Sequence, residues 1–323
     1  MTIFEFVEQE KEYLRITYQD ILLKYGESHR FYHNIDHIIN LFSKVKEYDR
    51  LLYYSILFHD IIYNVGSKTN EEDSANFFKN SISDGWDEPD ISIVYDAILA
   101  TKTHEIYDGI SPTAMQMVLL DMEDLFSNNL SLLLENEYKI FREYQMYDYI
   151  DYTNGRIKFL TDTNNSLETS NIGIEFLIDY IKHRKVSIGV YPGSFDPFHK
   201  GHYDILTKAE KIFDKVIIMV GKNPSKGNRV NELPESIKNR QIIYYDGLLT
   251  DAIKNLPYDV TLVRGLRNQN DFQNELTQNQ YLTDLLPSLK TINIFSDIKY
   301  QHISSSAIKE LELYNVDTSK YKL

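Results

Sequence analysis

Apolar side chains in the first 185 residues recur at helical spacing, most clearly at 38–45 and 51–62. Polar breaks such as 66–68 and 84–85 separate these runs and indicate turns. The run at 51–62 is apolar on every side, which is typical of a helix buried in a core. The pattern predicts an all-α domain.

After Lys185 the pattern changes to short β-rich runs that alternate with helical segments. Strands are predicted at 186–191, 215–220, 241–245, 260–263 and 291–295, with a helix at 202–213. Strands that alternate with helices favour a parallel sheet covered on both faces. The sequence therefore predicts two domains, an all-α domain at 1–184 and an α/β Rossmann-like parallel-sheet domain at 185–323.

The charge of the chain is distributed unevenly between these halves. The 323 residues include 34 Lys and Arg against 48 Asp and Glu, a net charge of −14. Residues 1–185 carry 17 basic and 32 acidic side chains (17 − 32 = −15), and residues 186–323 carry 17 and 16 (17 − 16 = +1). Nucleic-acid binders hold phosphate backbones with excess Lys and Arg, so no nucleic-acid partner is expected. A small phosphorylated ligand in the near-neutral half remains compatible with this balance.

The chain contains no cysteine, which excludes disulfides, Cys-based zinc sites and thiol nucleophiles. Its acidic start lacks the basic and apolar regions of a signal peptide. No apolar run approaches the ~20 residues that cross a bilayer. These features predict a cytoplasmic protein with no membrane partner.

The segment Tyr191–His202, after the first predicted strand, has groups suited to binding phosphate. Gly193 and Gly201 permit close approach of the backbone, and the following helix would point its N-terminus at an anion. His199 and His202 can donate hydrogen bonds to phosphate oxygens. For this segment alone, an ordinary turn with surface histidines is the alternative.

Three further segments that follow predicted strands carry similar groups. Ile303–Lys309 opens a helix with three serines, Val263–Arg267 contains two arginines, and Asn223–Lys226 supplies an ammonium group. The carboxyl ends of parallel strands meet at one edge of a sheet, where open α/β sheets bind ligands. The four segments together predict a phosphate site at that edge.

These motifs resemble, in the same order, those of the H/T-x-G-H nucleotidyltransferases, and more specifically the bacterial phosphopantetheine adenylyltransferases. Over about residues 186–312 the similar segments read Y-P-G-S-F-D-P, K-V-I-I-M-V, N-P-S-K, Y-D-G-L-L, V-R-G-L-R-N-x-x-D-F-x-x-E and I-S-S-S-x-I-K. The resemblance implies adenylyl transfer from ATP, with Mg²⁺, to a small phosphorylated acceptor, best matched by 4′-phosphopantetheine. In-line attack on the α-phosphorus needs positioning and charge neutralisation but no protein nucleophile.

The resemblance also implies which residues bind each substrate. ATP would be bound by Ser194, Phe195, His199, His202, Arg267, Glu275, Ser304, Ser305 and Ser306. The acceptor would be bound by Ser194, Lys226, Gly247, Leu248, Leu249 and Arg264. The catalytic groups would be His202, Lys226 and Arg267.

Some features depart from the phosphopantetheine branch. His199 stands where that branch usually has Thr, and the segment 226–246 and the tail after Ile308 are short. Another acceptor, such as nicotinamide mononucleotide, therefore stays open as an alternative. Relatives in coenzyme synthesis assemble, so a homo-oligomer is also among the expectations.

The apolar run in the helical half contains His59 and Asp60. Burying a carboxylate is unfavourable unless something compensates its charge, and a metal ion bound by imidazole and carboxylate together does so. His33 and His37 are four apart on a predicted helix and would share a face. An internal hydrogen-bonded His–Asp pair is the alternative, and the spacing does not decide between them.

The order His…His-Asp…Asp resembles the HD phosphohydrolase superfamily, in particular a branch of predicted metal-dependent hydrolases. The similar segments, over about residues 10–180, read H-R-F-Y-H-N-x-x-H-I, F-H-D-I-I-Y, N-E-E-x-S-A, I-L-A-T-x-x-H and L-D. The resemblance implies one divalent ion (Mn²⁺, Fe²⁺, Mg²⁺ or similar) held by His33, His59, Asp60 and Asp121, with Asp60 as a catalytic residue. His37 and His104 would lie behind these ligands or contact phosphate.

Together the two halves predict a bifunctional enzyme, with an adenylyltransferase after a metal-dependent phosphate-ester hydrolase. The alternative is that one domain is retained only as a nucleotide- or metal-binding regulatory module. The short segment 226–246 favours this alternative for the C-terminal half.

Overall fold

The computed structural model describes residues 1–222 and 233–323, which form two compact units. The helical unit comprises Met1–Tyr144 and Thr153–His183, and the sheet unit comprises Gln145–Tyr152 and Arg184–Leu323. The division predicted at 184/185 leaves Gln145–Tyr152 in the N-terminal domain, whereas the structure groups this segment with the sheet unit. Within the described ranges, no helix is both long enough and apolar enough to span a membrane.

Ten helices lie between residues 3 and 183, a region that the structure describes in full. Their bounds are α1 Ile3–Gln9, α2 Tyr18–Tyr25, α3 Ile35–Lys44, α4 Arg50–Phe58, α5 Asn70–Ser81, α6 Glu88–Ala100, α7 Pro112–Met122, α8 Leu130–Glu143, α9 Tyr149–Asn165 and α10 Ile172–His183. The predicted helical fold of this half is confirmed.

Helix α4 is buried along most of its length, as its apolar sequence predicts. It ends at Phe58, however, and does not continue to residue 62 as the apolar pattern suggests. The guanidinium of Arg30 donates to the carbonyls of Asp60 (2.6 Å) and Ile61 (3.0 Å), which supplies partners for carbonyls outside the helix. His59 is therefore the C-cap residue of α4, and Asp60 lies in the following turn.

The expectation that His33 and His37 share a helix face is wrong. Asn34 is the N-cap of α3, and its side chain accepts hydrogen bonds from the backbone N–H groups of Asp36 and His37. Asparagine at this position stabilises a helix start. His33 therefore precedes α3, whereas His37 lies in its first turn.

In the described part of the sheet unit, five parallel strands form one sheet in the order β3-β2-β1-β4-β5. The strands are β1 Ile188–Gly193, β2 Lys215–Gly221, β3 Ile242–Tyr245, β4 Thr261–Leu266 and β5 Lys290–Phe295. The helices are α11 Lys200–Ala209, α12 Leu249–Lys254, α13 Gln269–Leu285 and α14 Ser305–Leu313. All five predicted strands are present, and β4 continues past its predicted end to include Arg264.

The chain builds the sheet outward from β1 in one direction and then returns to add β4 and β5 on the other side. The strand order thus reverses between β1 and β4. In open parallel sheets, ligands bind in the crevice at the carboxyl ends of the strands at such a reversal. The fold thereby places the segments after β1 and β4 on opposite sides of one crevice.

Lys215, the first residue of β2, is only 1% exposed. Its Nζ donates to the carbonyls of Gln145 (2.7 Å) and Tyr147 (2.8 Å). Nearby, Gln241 and Tyr258 donate to the carboxylate of Asp148 at 3.2 and 2.7 Å. These bonds explain why the segment 145–152 belongs to the sheet unit. Burial lowers the pKa of Lys215 to about 7.

At pH 10, where Lys215 is neutral in the folded state, we expect Lys215→Met to lower the free energy of unfolding of the sheet unit by about 1–3 kcal/mol, because two buried hydrogen bonds are lost. The wild-type folded state releases this proton near pH 7, while the unfolded chain holds it to about pH 10.5. Stability should therefore rise with pH across that window in the wild type and lose this rise in the variant.

Hydrogen exchange of β2 and denaturant unfolding between pH 6 and pH 10 measure both effects. The exposed Lys211 supplies the control, since Lys211→Met should change stability by less than about 0.5 kcal/mol. Equal stabilities of the two variants at pH 10 would contradict the assigned role of Lys215.

Candidate functional site

A cleft of about 360 Å³ opens at the carboxyl ends of β1 and β4. It is lined by the end of β1, the loop before α11, the end of β4, α13 and the start of α14. Nine of the residues expected to bind ATP or the acceptor line it: Phe195, His199, His202, Arg264, Arg267, Glu275, Ser304, Ser305 and Ser306.

His199 lines the cleft and is the N-cap residue of α11. Its Nδ1 accepts the backbone N–H groups of Gly201 (3.1 Å) and His202 (3.3 Å). Since Nδ1 is an acceptor, the ring proton is on Nε2. Burial and the charge of Arg267 lower the pKa of His199 to about 4. His199 is therefore a neutral N–H donor at physiological pH, and its imidazole caps α11.

His202 stacks on His199, with ring centroids 3.6 Å apart. Burial, His199 and Arg267 together hold the pKa of His202 well below its usual range. Among the residues that the structure describes, its buried Nδ1 has no hydrogen-bond partner. A buried polar atom without a partner is unfavourable, and a phosphate oxygen would satisfy it when Nδ1 carries the proton.

Side chains of α13 bind the two arginines at the end of β4. Arg267 forms a two-pronged pair with Asp271, with Nε–Oδ2 at 2.8 Å and Nη2–Oδ1 at 2.9 Å. Arg264 Nε lies 3.0 Å from Glu275 Oε2, and Arg264 Nη2 donates to Gln278 Oε1 at 2.7 Å. Burial raises the pKa of Glu275. The guanidinium groups are thus pre-oriented by carboxylate and amide partners before any anion binds.

Sequence reasoning did not identify Asn274 and Gln278 as cleft residues. Their spacing in the sequence indicates this position, because residues 271, 274, 275 and 278 follow the three- and four-residue spacing of a single helix face. Asp271 and Glu275 already marked that face within the V-R-G-L-R-N-x-x-D-F-x-x-E motif.

The N-terminus of α14 closes the cleft on another side. The Ser304 side chain caps the helix by accepting the backbone N–H of Ala307 at 3.1 Å. Ser305 Oγ donates to the Pro197 carbonyl at 3.0 Å, which ties α14 to the loop after β1. Helix N-termini favour anions, so this wall suits a phosphate chain.

Four expected residues in the described ranges lie outside the lining of the cleft, namely Ser194, Gly247, Leu248 and Leu249. Gly247 has a φ of +85° in the turn after β3, and Leu248 beside it is exposed. Lys226 falls in 223–232, outside the described residues. The expected roles of these five residues stay predictions.

The helical unit contains a second group of chemistry-bearing residues. One ligand atom each from His37, His59 and Asp121 lie within 4.8 Å of one another. Asp121 Oδ1 is 3.2 Å from His37 Nε2 and 3.7 Å from His59 Nε2. Asp60 Oδ2 is 3.0 Å from His59 Nε2 and 3.9 Å from His37 Nε2. We call these four residues the His–Asp cluster.

The donor atoms of the His–Asp cluster fit a divalent cation. In the part of the chain that the structure describes, His37 Nε2 and His59 Nε2 are buried without a hydrogen-bond partner, although both face carboxylates. Burial lowers the pKa of His59, but Asp60 and Asp121 outweigh burial and raise it to about 9. Two imidazole nitrogens and two carboxylates that converge in this way form a common ligand set for transition metals.

Two other expected residues flank the cluster. His104 Nε2 hydrogen-bonds to Asp121 Oδ2 at 2.9 Å, and its φ of +55° is unusual for a residue with a side chain. His33 Nδ1 is 2.6 Å from Glu143 Oε2. The assignment of His33 as a ligand and His37 behind it stays a prediction. The distances group His37, not His33, with His59 and Asp121.

The sheet unit has the α/β fold of a nucleotidyltransferase, and the family model described as cytidylyltransferase-like matches residues 190–311. The phosphopantetheine adenylyltransferase of Dictyoglomus turgidum is 40% identical over 131 residues, covering 38% of this chain and 81% of that enzyme. That of Mycoplasma capricolum is 37% identical over 138 residues, covering 40% of this chain and 99% of its own. Through its C-terminal part, the chain belongs to the phosphopantetheine adenylyltransferase family.

One solved structure is also similar, that of a bifunctional NMN adenylyltransferase/ADP ribose pyrophosphatase from Francisella tularensis complexed with AMP and manganese. It is 15% identical to this chain, covers 43% of this chain and 44% of its own, and has a TM-score of 0.28. A similarity at this level carries no argument about fold or function.

Proposed function

We propose that the sheet unit transfers the adenylyl group of ATP to 4′-phosphopantetheine, forming dephospho-coenzyme A and pyrophosphate. The main support is the convergence of His202, Arg264, Arg267 and the α14 N-terminus on one cleft at the strand-order reversal. Family membership supports the choice of acceptor.

Each group in the cleft has a role in this transfer. His202 would donate a hydrogen bond to the α-phosphoryl oxygens as charge develops there. Arg267 and the N-terminus of α14 would bind the triphosphate, while Arg264 would bind the phosphate of the acceptor. Mg²⁺, when bound, would neutralise part of the triphosphate charge. Because α13 and the cap of α11 fix these groups in advance, little reorganisation is needed when the acceptor attacks.

Pyrophosphate exchange into ATP tests the acceptor directly. The full chain is assayed with 4′-phosphopantetheine, nicotinamide mononucleotide and a sugar phosphate in parallel. Of the three acceptors, only 4′-phosphopantetheine is expected to support the exchange. Exchange only with nicotinamide mononucleotide would reassign the acceptor. ATP binding by calorimetry without exchange would favour a regulatory nucleotide-binding module.

Arg264→Gln is expected to raise KM for 4′-phosphopantetheine by about 10–100-fold with a smaller change in KM for ATP, because a charged hydrogen bond to the acceptor phosphate is lost. Steady-state kinetics with each substrate varied in turn measure this split. Lys290→Gln removes an exposed positive charge from the same unit and serves as the control. A larger effect on ATP than on the acceptor would place Arg264 at the nucleotide.

We also propose that the helical unit is a metal-dependent phosphohydrolase of the HD type. The observation that favours it is the His–Asp cluster, in which two unpartnered buried imidazole nitrogens face two carboxylates. With His37 as the first residue, the cluster retains the order His…His-Asp…Asp. A divalent ion bound there would lower the pKa of a water molecule and polarise a phosphoryl oxygen.

The surrounding residues would keep the cluster in place. His104 hydrogen-bonds to the second carboxylate oxygen of Asp121, and Arg30 donates a hydrogen bond to the backbone carbonyl of Asp60. Such outer contacts orient metal ligands and commonly matter for affinity and activity.

Metal binding and hydrolysis are tested separately on the full chain. After chelation, calorimetry with Mn²⁺ is expected to show one tight site in the helical unit, and Mn²⁺ should support hydrolysis of phosphate-ester model substrates such as p-nitrophenyl phosphate and its diester. Metal binding without any hydrolysis would favour a metal-binding regulatory module. Absence of Mn²⁺, Fe²⁺ and Mg²⁺ binding would contradict the proposal.

A further inference from the structure

Glu143, at the end of α8, is a buried carboxylate that no sequence motif singled out. It is 1% exposed and accepts hydrogen bonds on both oxygens. Oε1 accepts the backbone N–H groups of three consecutive residues, Phe31, Tyr32 and His33, at 2.8, 2.7 and 2.9 Å. Oε2 accepts from the Tyr63 hydroxyl at 2.9 Å and lies 2.6 Å from His33 Nδ1.

This arrangement determines the state of the His33 ring. An ionised carboxylate only accepts hydrogen bonds, so each of its five partners must be a donor. Three backbone N–H groups and the Tyr63 hydroxyl already donate to its two oxygens, and hydrogen bonds of this kind stabilise the ionised form of a carboxyl group. The carboxylate therefore stays ionised at neutral pH, and His33 must carry a proton on Nδ1.

The His33 ring is also held in a fixed orientation. It stacks on Tyr63 with centroids 4.3 Å apart, and its centroid lies 6.1 Å from that of His37 in the His–Asp cluster. With Nδ1 directed at Glu143, the ring nitrogen left for a ligand is Nε2. The side chain is 23% exposed, so a molecule that approaches the cluster from solvent can reach it.

We propose that Glu143 is a positioning residue for the site of the helical unit: it fixes the orientation and tautomer of His33 and so leaves Nε2 as the nitrogen that meets the ligand. The expected effect of Glu143 on activity rests on the proposed metal-dependent function. The state of the His33 ring can be measured whether or not that function holds. Carboxylate–histidine pairs of this kind commonly orient imidazoles at metal sites.

The test is the protonation pattern of the His33 ring nitrogens, read by long-range proton–nitrogen NMR on ring-labelled, metal-free full-length protein at mildly alkaline pH. His33→Asn identifies the signal among the nine histidines. The wild type should show Nδ1 protonated. A wild-type ring without a proton on Nδ1 overturns the proposal, and this measurement requires no variant of Glu143 to fold.

Glu143→Gln should move the ring proton to Nε2, because an amide cannot accept from three backbone N–H groups and from Nδ1–H together. Glu137→Gln is the matched control, since Glu137 is an equally buried glutamate on α8 that pairs with Arg156 at 2.9 Å. The control should leave the His33 signal unchanged. An unchanged His33 ring in Glu143→Gln, or the same change in both variants, overturns the proposal.

The effect on activity is measured in the same proteins with the Mn²⁺-loaded chain. Glu143→Gln should lower kcat by about 10–100-fold with less change in KM, and should cause no further loss when His33 is already Asn. Equal losses in both backgrounds overturn the positioning role. If the wild type hydrolyses no phosphate ester, the proposed function fails, while the NMR result still decides the role of Glu143.

Discussion

Replacing His202 by alanine is expected to lower kcat for adenylyl transfer by about 10²–10³-fold, the usual loss when one preorganised donor to developing charge is removed. His202 is suited to this role, because its Nδ1 is buried without a partner among the described residues. Its neutral ring, stacked on His199, would gain a partner only when phosphate arrives.

Single-turnover kinetics with saturating ATP measure this loss, since they separate chemistry from binding. KM for ATP should change much less than kcat. His302→Ala is the control, because His302 is an exposed histidine of the same unit. A His202→Ala enzyme with kcat near that of the wild type would contradict the role assigned to His202.

Asp121→Asn is expected to weaken Mn²⁺ binding by at least about 10²-fold, because Asp121 contributes one of two partly buried negative charges in the His–Asp cluster. Its carboxylate contacts both cluster imidazoles on one oxygen and His104 on the other. The amide retains the shape of the side chain but removes the charge.

Calorimetric titration of the chelated full chain with Mn²⁺ measures the affinity. Asp124→Asn is the matched control, since Asp124 pairs with Lys44 at 2.6 Å and lies outside the cluster. The control should bind Mn²⁺ like the wild type. Tight Mn²⁺ binding by Asp121→Asn would place the metal elsewhere.

The two variants also control for each other. The chain forms two compact units, and His202 and Asp121 lie in different ones. His202→Ala should therefore retain Mn²⁺ binding, and Asp121→Asn should retain pyrophosphate exchange. Loss of both activities in either variant would indicate a folding defect.

Much of the fold was predictable because it depends on local patterns. The five strands of the sheet unit are short runs of β-branched and apolar residues, and the helical unit repeats apolar residues at helical spacing. Boundaries were less predictable where long-range contacts decide them. Helix α4 stops at Phe58, and Arg30, from 30 residues away in the chain, supplies partners for the carbonyls of the following turn.

The candidate sites divide in the same way. The sequence by itself determined which residue types were available: imidazoles, guanidinium groups and serines after strands, and His and Asp within apolar helices, with no cysteine to bind a metal. Their order along the chain resembles the motifs of two enzyme families that act on phosphate groups.

Only the tertiary structure decided which of these groups meet. The strand order β3-β2-β1-β4-β5 brings the loop after β1, the end of β4 and the start of α14 to one cleft across more than 100 residues of chain. The Asn34 cap places His37 rather than His33 on α3, and Glu143 reaches His33 from 110 residues away. Local propensity depends on neighbours in sequence. These contacts depend on how whole helices and strands pack, and a local sequence pattern does not predict that packing.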